Sequence, residues 1–220
     1  MADGLSYVPF KPALGLVEHI ALHIEHQIVA GVLRSGDRIQ ESRIVSQLDV
    51  SRGSVRESFR VLERRRLIDV IPRKGAIVTS LSPTRVRDLT SVLPPLLTQV
   101  VADLIPNWTD RHSQSIQHAM EISEGKFGCV NPVSALEILC QLHPNRVYLE
   151  LIDDLIPTFD RVFSKLVRSN LAGVESLDQL LKLKIIPALD AGEREQVIDY
   201  VTELCRLLER KYLETLERTG

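Results

Sequence analysis

"SRGSVRESFRVLERRRLIDVIPRKGAIV", residues 51–78, changes its period half-way along. In the first part Val55, Phe59 and Leu62 follow one another at i, i+4 and i+7, the apolar stripe of a helix packed on one side. Ser51 stands just before that stripe, where its hydroxyl can accept an orphan N–H of the first turn. From Leu67 the pattern becomes "LIDVI", "PRKG" and "AIVTS": two β-branched runs around a turn, which predict a small hairpin.

Upstream, "ESRIVSQLDV" (41–50) predicts a short helix with Ile44, Val45 and Leu48 on one side, closed by a turn at Asp49-Val50. "LRSGDRIQ" (33–40) is a connector with a turn at Ser35-Gly36-Asp37. "ALGLVEHIALHIEHQIVAG" (13–31) has helical spacing, with Gly31 as its stop. Residues 1–12 are expected to be a flexible arm. Helix, short helix, Ser-capped basic helix and hairpin, in that order, make a winged helix-turn-helix over residues 13–80.

Charge favours the same reading. The chain carries −2 overall, divided as +3 over residues 1–80 and −5 over the remaining 140. Eight basic residues between Arg52 and Lys74 face only Glu57, Glu63 and Asp69. A charged face on a surface helix accounts for the arginine row taken alone. The two preceding helices, the serine cap and the basic hairpin favour duplex DNA. A helix reads the major groove with its leading residues, which must be small, or donors to phosphate and guanine. Ser51, Arg52, Gly53, Ser54 and Arg56 meet that requirement, with the two arginines one turn apart. A bidentate arginine–guanine contact is worth about 1–3 kcal/mol of discrimination. Arg73, Lys74 and Gly75 suit a wing tip, where glycine permits a positive φ and the cations follow a phosphate or minor groove. Arg60, Arg64, Arg65 and Arg66 lie farther along and read as phosphate contacts or solvated charge.

Beyond residue 80 helical periodicity dominates. Ser82 caps and Pro83 suits a first turn. Helices are expected at 83–105, 109–124, 132–142, 145–169, 176–189 and 193–218, separated at 105–107, 125–132, 143–144, 171–173 and 190–192. Pro94-Pro95 should kink or interrupt the first of these. The fold class is therefore mainly α, with the winged head followed by an all-helical unit over 81–220. Hydrophobic content of 44% with only 5% aromatic residues puts the core on Leu, Ile and Val. Cys129, Cys140 and Cys205 form no CxxC pair and read as apolar filler in a reducing compartment. The first residues lack a basic n-region and an apolar h-region, and no run of about eighteen apolar residues occurs. The expectation is a cytoplasmic protein without a membrane partner. No Gly-rich phosphate loop, HExxH or GxSxG is present, so catalysis is not expected.

Residues 13–80 resemble the N-terminal domain of the GntR superfamily of bacterial transcription regulators. The family's "SR-x-x-VRE-a-l-x-x-L" helix and "p-x-x-G-x-x-V" wing are matched by Ser51, Arg52, Val55, Arg56, Glu57, Leu62, Leu67, Gly75 and Val78. The upstream match includes Gly31, Gly36 and Glu41, and adds Glu41 to the candidate DNA-binding residues. Arg66 departs from the pattern, standing where the family usually has glycine. The resemblance implies a homodimer on a short pseudo-palindromic operator, with repression as the usual mode.

The helical second half resembles the FadR branch in its FCD-type form, which implies an effector pocket inside a bundle. Many such members hold a metal there with one aspartate and three histidines. Alignment puts Pro132, Leu136, Lys182 and Leu204 at or near those positions, and His112, His118 and His143 have no helical-pair spacing. No metal or other cofactor is therefore expected. A small-molecule effector of apolar or acyl type fits such a pocket, and a bundle serving only dimerisation is the alternative. Arg161 and Arg168 are candidate effector-binding residues as anion partners, and surface charge explains them equally well.

Overall fold

The computed structural model describes residues 15–127, 131–169 and 171–219. The expected arm at 1–12 and Cys129 lie outside them. The head begins with α1 (Leu16–Val29), followed by β1 (Arg38–Ile39), α2 (Glu41–Leu48), α3 (Arg52–Arg64), β2 (Ile68–Ile71) and β3 (Gly75–Val78). Ile20, Ile24, Ile28, Ile44, Val55, Phe59, Leu62, Leu67 and Val78 form its core. α2 ends on Asp49, whose φ of 50° gives the left-handed cap needed to turn into α3.

The connector between α1 and α2 is not wholly irregular. Arg38 pairs with Ile77 and Ile39 with Ala76, so a two-residue strand completes an antiparallel sheet in the order β1-β3-β2. The hairpin itself pairs Ile68 with Val78 and Ile71 with Gly75. Two residues are too few to show alternation, so β1 left no periodic trace in the sequence.

The second half comprises α4 (Pro83–Leu104), α5 (Asp110–Phe127), α6 (Pro132–Leu142), α7 (Val147–Asp153), α8 (Ile156–Ser169), α9 (Leu171–Leu180), α10 (Ile186–Asp190) and α11 (Arg194–Thr219). A 3-10 turn at Ile105–Asn107 extends α4. Ser82 Oγ accepts the Arg85 N–H at 3.1 Å, so the expected cap forms. A separate core runs from Val86 to Tyr212 and includes Leu93, Leu97, Leu139, Phe159, Phe163, Leu177 and Leu204.

Three helix boundaries differ from expectation. α4 runs through Pro94-Pro95 without interruption. Leu93 and Leu97 are fully buried on either side, and that packing outweighs the backbone bonds two prolines remove. The expected 145–169 helix is two, because α7 ends at Asp153 and Pro157 takes the first turn of α8. The break expected at 171–173 is absent, and α9 begins at Leu171. Between α9 and α10 the residues Leu181–Ile185 widen to π geometry, with the Ile186 N–H reaching Leu181 O. Pro187 follows, and a widened turn relieves the clash of its ring with the preceding carbonyls.

α4 with its 3-10 extension, Pro83–Asn107, is long and apolar enough to cross a membrane by length and composition. Here Val86, Leu89, Leu93, Leu97, Val100, Val101 and Leu104 are all buried, so the apolar face lies inside the fold.

Candidate nucleic-acid interface

Ser51 Oγ accepts the Ser54 N–H at 3.0 Å and lies 2.9 Å from Ser54 Oγ, which fixes the start of α3. Val55, Ser58, Phe59 and Leu62 face the core, leaving Arg52, Gly53, Arg56 and Arg60 exposed. The Arg56 side chain keeps 64% of its surface accessible and that of Arg60 keeps 73%. The leading turn of α3 thus presents two guanidiniums, a glycine and two hydroxyls on an open face.

Glu41, in the first turn of α2, accepts Arg56 Nε through both carboxylate oxygens, at 3.0 and 3.2 Å. Glu41 thereby orients the exposed Arg56 side chain. Arg60 is engaged by Glu57 at 2.7 Å, one turn back on the same helix.

Farther along the arginine run, Arg65 and Arg64 make pairings that the sequence reading did not assign. Arg65 donates to Glu25 of α1 at 2.8 Å, and these side chains are only 21% and 12% exposed. Arg64 pairs with Asp154, at the end of α7, at 3.3 Å. Arg66 has φ of 58°, the left-handed conformation for which glycine is best suited. The departure from the family's glycine therefore falls on a backbone position that disfavours any side chain. Glu63 accepts the Val70 N–H at 3.0 Å and ties α3 to the hairpin.

At the wing tip the Lys74 N–H reaches Ile71 O at 3.0 Å, and both Arg73 and Gly75 take positive φ, 63° and 87°. A Cβ at Gly75 would stand 2.4 Å from Ile39 O, so glycine is required by close approach as well as by φ. Arg38 Nε donates to Lys74 O at 2.8 Å and holds the tip from β1. Sequence reasoning missed Arg38, which only the third strand brings to the wing. Arg73 and Lys74 are both exposed.

In the helical half the two arginines named as candidates for effector binding contact the head. Arg161 is 5% exposed and donates to Thr79 O, Thr79 Oγ and Ser35 Oγ at 2.5, 3.2 and 2.9 Å. Arg168 donates to Val29 O at 3.1 Å. Both therefore join the bundle to the head. Burial draws the Arg161 pKa down to about 10.

His143 is 4% exposed. Its Nδ1 accepts the Asn145 N–H at 3.0 Å, so its Nε2 carries the proton toward Asp103 Oδ2 at 3.2 Å. His112 Nδ1 accepts the Thr109 N–H at 3.0 Å, and His118 lies 3.8 Å from Glu121. Among the described residues no group of three His, Cys, Asp or Glu gathers as a metal-ligand set. At the aligned family positions Leu136 and Leu204 are buried in the core, and Lys182 pairs with Glu124 and Asp178. Cys140 and Cys205 are buried thiols, with burial pushing each pKa up to about 12.

Residues 16–78 match the family described as "Bacterial regulatory proteins, gntR family". The chain is 29% identical over 131 residues to the HTH-type transcriptional regulator YdhC of Bacillus subtilis (strain 168), covering 60% of this chain and 56% of that protein. It is 30% identical over 86 residues to the gluconate operon transcriptional repressor of the same organism, covering 39% and 35%. The matches thus span about half the length of these relatives, or less. McbR/YncC of E. coli is similar in fold, with a TM-score of 0.75, 18% identity, and coverage of 94% of this chain and 100% of that one. A GntR transcriptional regulator from Rhodococcus sp. RHA1 gives a TM-score of 0.73 at 20% identity, over 90% and 97%. The two Bacillus subtilis relatives and the Rhodococcus protein are described as transcription regulators.

Proposed function

We propose, for a chain whose residues 16–78 are a gntR-family winged helix-turn-helix domain, that it is a sequence-specific DNA-binding transcription regulator acting as a homodimer. One observation carries this reading. The capped start of α3 presents Arg52 and Arg56 outward while Val55, Phe59 and Leu62 anchor the helix. Ser51 to Arg56 read bases, Arg60 and the wing residues Arg73 and Lys74 meet phosphates, and Gly75 shapes the tip. Glu41 acts through Arg56. Two such heads dock on half-sites about 34 Å apart, one turn of duplex, which makes the operator pseudo-palindromic.

Residues 81–220 form the dimerisation and effector-responsive unit, of the FadR branch, and repression is the mode. An apolar effector suits a bundle with Leu136 and Leu204 where a metal-binding relative has histidines. The same two buried leucines favour a second reading, in which the bundle serves dimerisation alone.

The test is selection of duplexes from a random library by the full chain, followed by titration of the enriched site. Enrichment of a pseudo-palindrome whose binding collapses in Arg52→Ala and Arg56→Ala supports the assignment. Equal weakening on all sequences would reduce these arginines to phosphate contacts. Native mass spectrometry of the purified chain, with and without extracted small molecules, separates the two readings of the bundle.

A further inference from the structure

Three cations recur along α8 at i, i+4 and i+7: Arg161, Lys165 and Arg168. Among the described residues none of them bonds a carboxylate. Arg161 spends its donors on the neutral oxygens of Thr79 and Ser35, and Arg168 on the carbonyl of Val29 at the end of α1. Lys165 Nζ sits 5.3 Å above the Tyr212 ring, and the Tyr212 hydroxyl donates to Leu81 O at 2.9 Å. The segment joining β3 to α4 is therefore gripped at Thr79 by α8 and at Leu81 by α11.

Thr79 is also bonded to the segment that leaves α3. Its hydroxyl donates to Arg66 O at 2.8 Å and Leu67 O at 3.1 Å, and its N–H reaches Leu67 O at 3.0 Å. One threonine thus links Arg161 to the exit of α3. At the other end of α8 the Arg168 guanidinium lies 3.0 Å from where a Cβ at Gly31 would stand. Arg64, the last residue of α3, reaches Asp154 just before α8.

We propose that α8 is a latch that sets the orientation of the DNA-reading head, with Arg161 and Arg168 as its positioning residues. The Arg161 guanidinium, stripped of water and bonded to neutral oxygens, has no carboxylate partner among the described residues, so hydrogen bonds alone hold it in place. Lys165 and Arg168 add like charge on the same face. These features keep the seam close to balance, as a two-state element requires. A shift of α8 breaks the Thr79 and Val29 bonds together, because one rigid helix carries both arginines. The head then reorients and its fit to two half-sites changes.

Hydrogen–deuterium exchange on the full chain tests the latch without DNA, by comparing wild type with Arg168→Gln and Arg161→Gln. Arg168 is exposed, so its variant folds even where the Arg161 change disturbs packing. The expected result is at least a 10-fold rise in exchange across 29–36 and 79–82, with α4 and α11 core amides unchanged. Ser35→Ala removes one Arg161 acceptor from the head side and should reproduce part of the rise at 79–82. Unchanged exchange in both segments of folded Arg168→Gln and Ser35→Ala overturns the latch. The second readout rests on the DNA-binding assignment: released variants should bind the selected operator at least 5-fold more weakly, through lost preorganisation. Faster exchange with unaltered operator affinity would leave a structural seam and overturn the control of DNA binding. Failure of wild type to bind any duplex would defeat the functional assignment instead.

Discussion

Glu41 holds the Nε edge of Arg56 with both carboxylate oxygens, across the angle between α2 and α3. The pair lies near the surface, with side chains 26% and 64% exposed, so its contribution to folding is about 0–1 kcal/mol. Its effect is on geometry: an arginine with four rotatable bonds is held to one orientation before DNA arrives. Arg56→Ala should weaken the selected operator about 5- to 150-fold, the equivalent of about 1–3 kcal/mol. Glu41→Gln should keep Tm within a degree or two yet reduce discrimination between operator and scrambled duplex several-fold. Fluorescence anisotropy with both duplexes measures this, and unchanged discrimination in Glu41→Gln would show that Arg56 needs no support.

Arg66 presents a strained position that can be relieved. A residue with a Cβ in the left-handed region costs about 1–2 kcal/mol, and Arg66 has φ of 58°. Glycine recovers that cost but loses about 0.5–1 kcal/mol through a freer unfolded chain. Arg66→Gly should therefore stabilise by about 0.5–1 kcal/mol, raising Tm by about 1–3 °C. The carbonyl that accepts the Thr79 hydroxyl is retained in the variant. A lower Tm by calorimetry would mean that the Arg66 side chain contributes more than its backbone costs.

The head was legible because each element had a local signal: the Ser51 cap, the Val55-Phe59-Leu62 stripe, and the β-branched runs around "PRKG". What was not legible needed partners distant in sequence. Arg38 reaches the wing only through pairing with Ile77, and Arg161 reaches Thr79 across 82 positions. Nothing in "DRVFSKLVRS" distinguishes a helix-face arginine in solvent from one sealed against the head. The same limit applies to Arg65, whose partner Glu25 lies 40 residues back. The interruption expected at Pro94-Pro95 does not occur for a related reason, since local propensity is outweighed by the buried leucines beside it.

Tyr212 gives the bundle an alkaline limit. The ring is fully buried and its hydroxyl donates to Leu81 O, and burial raises its pKa to about 12, with nearby Arg161 acting the other way. A raised acid pKa means the folded state prefers the neutral phenol. That stability is fully present below the unfolded value of about 10 and is lost as pH rises from there to about 12. The shift corresponds to at most about 2–3 kcal/mol. Tyr212→Phe should lose the Leu81 bond at pH 7, at a cost of about 1 kcal/mol, and then destabilise less steeply than wild type above pH 10. Buried Cys140 and Cys205 leave a residual slope in both proteins. Parallel urea melts from pH 8 to 11 check the difference, and identical slopes would place the tyrosine in a solvated setting.

Lys74 and Arg52 should fail in different ways. Lys74 is exposed at the wing tip, and its backbone carbonyl is held by Arg38, so its side chain can be removed without moving the tip. As a point charge on a flexible stem it suits a phosphate, not a base edge. Lys74→Ala should weaken operator and non-specific duplex by similar factors, with the slope of log affinity against log salt falling by about 1. Arg52 stands in the first turn of α3, and Arg52→Ala should weaken the operator far more than non-specific duplex. Titrations from 50 to 200 mM salt, on the order of four concentrations, suffice to separate the two. A Lys74→Ala variant that lost only operator binding would move the wing from backbone contact to base reading.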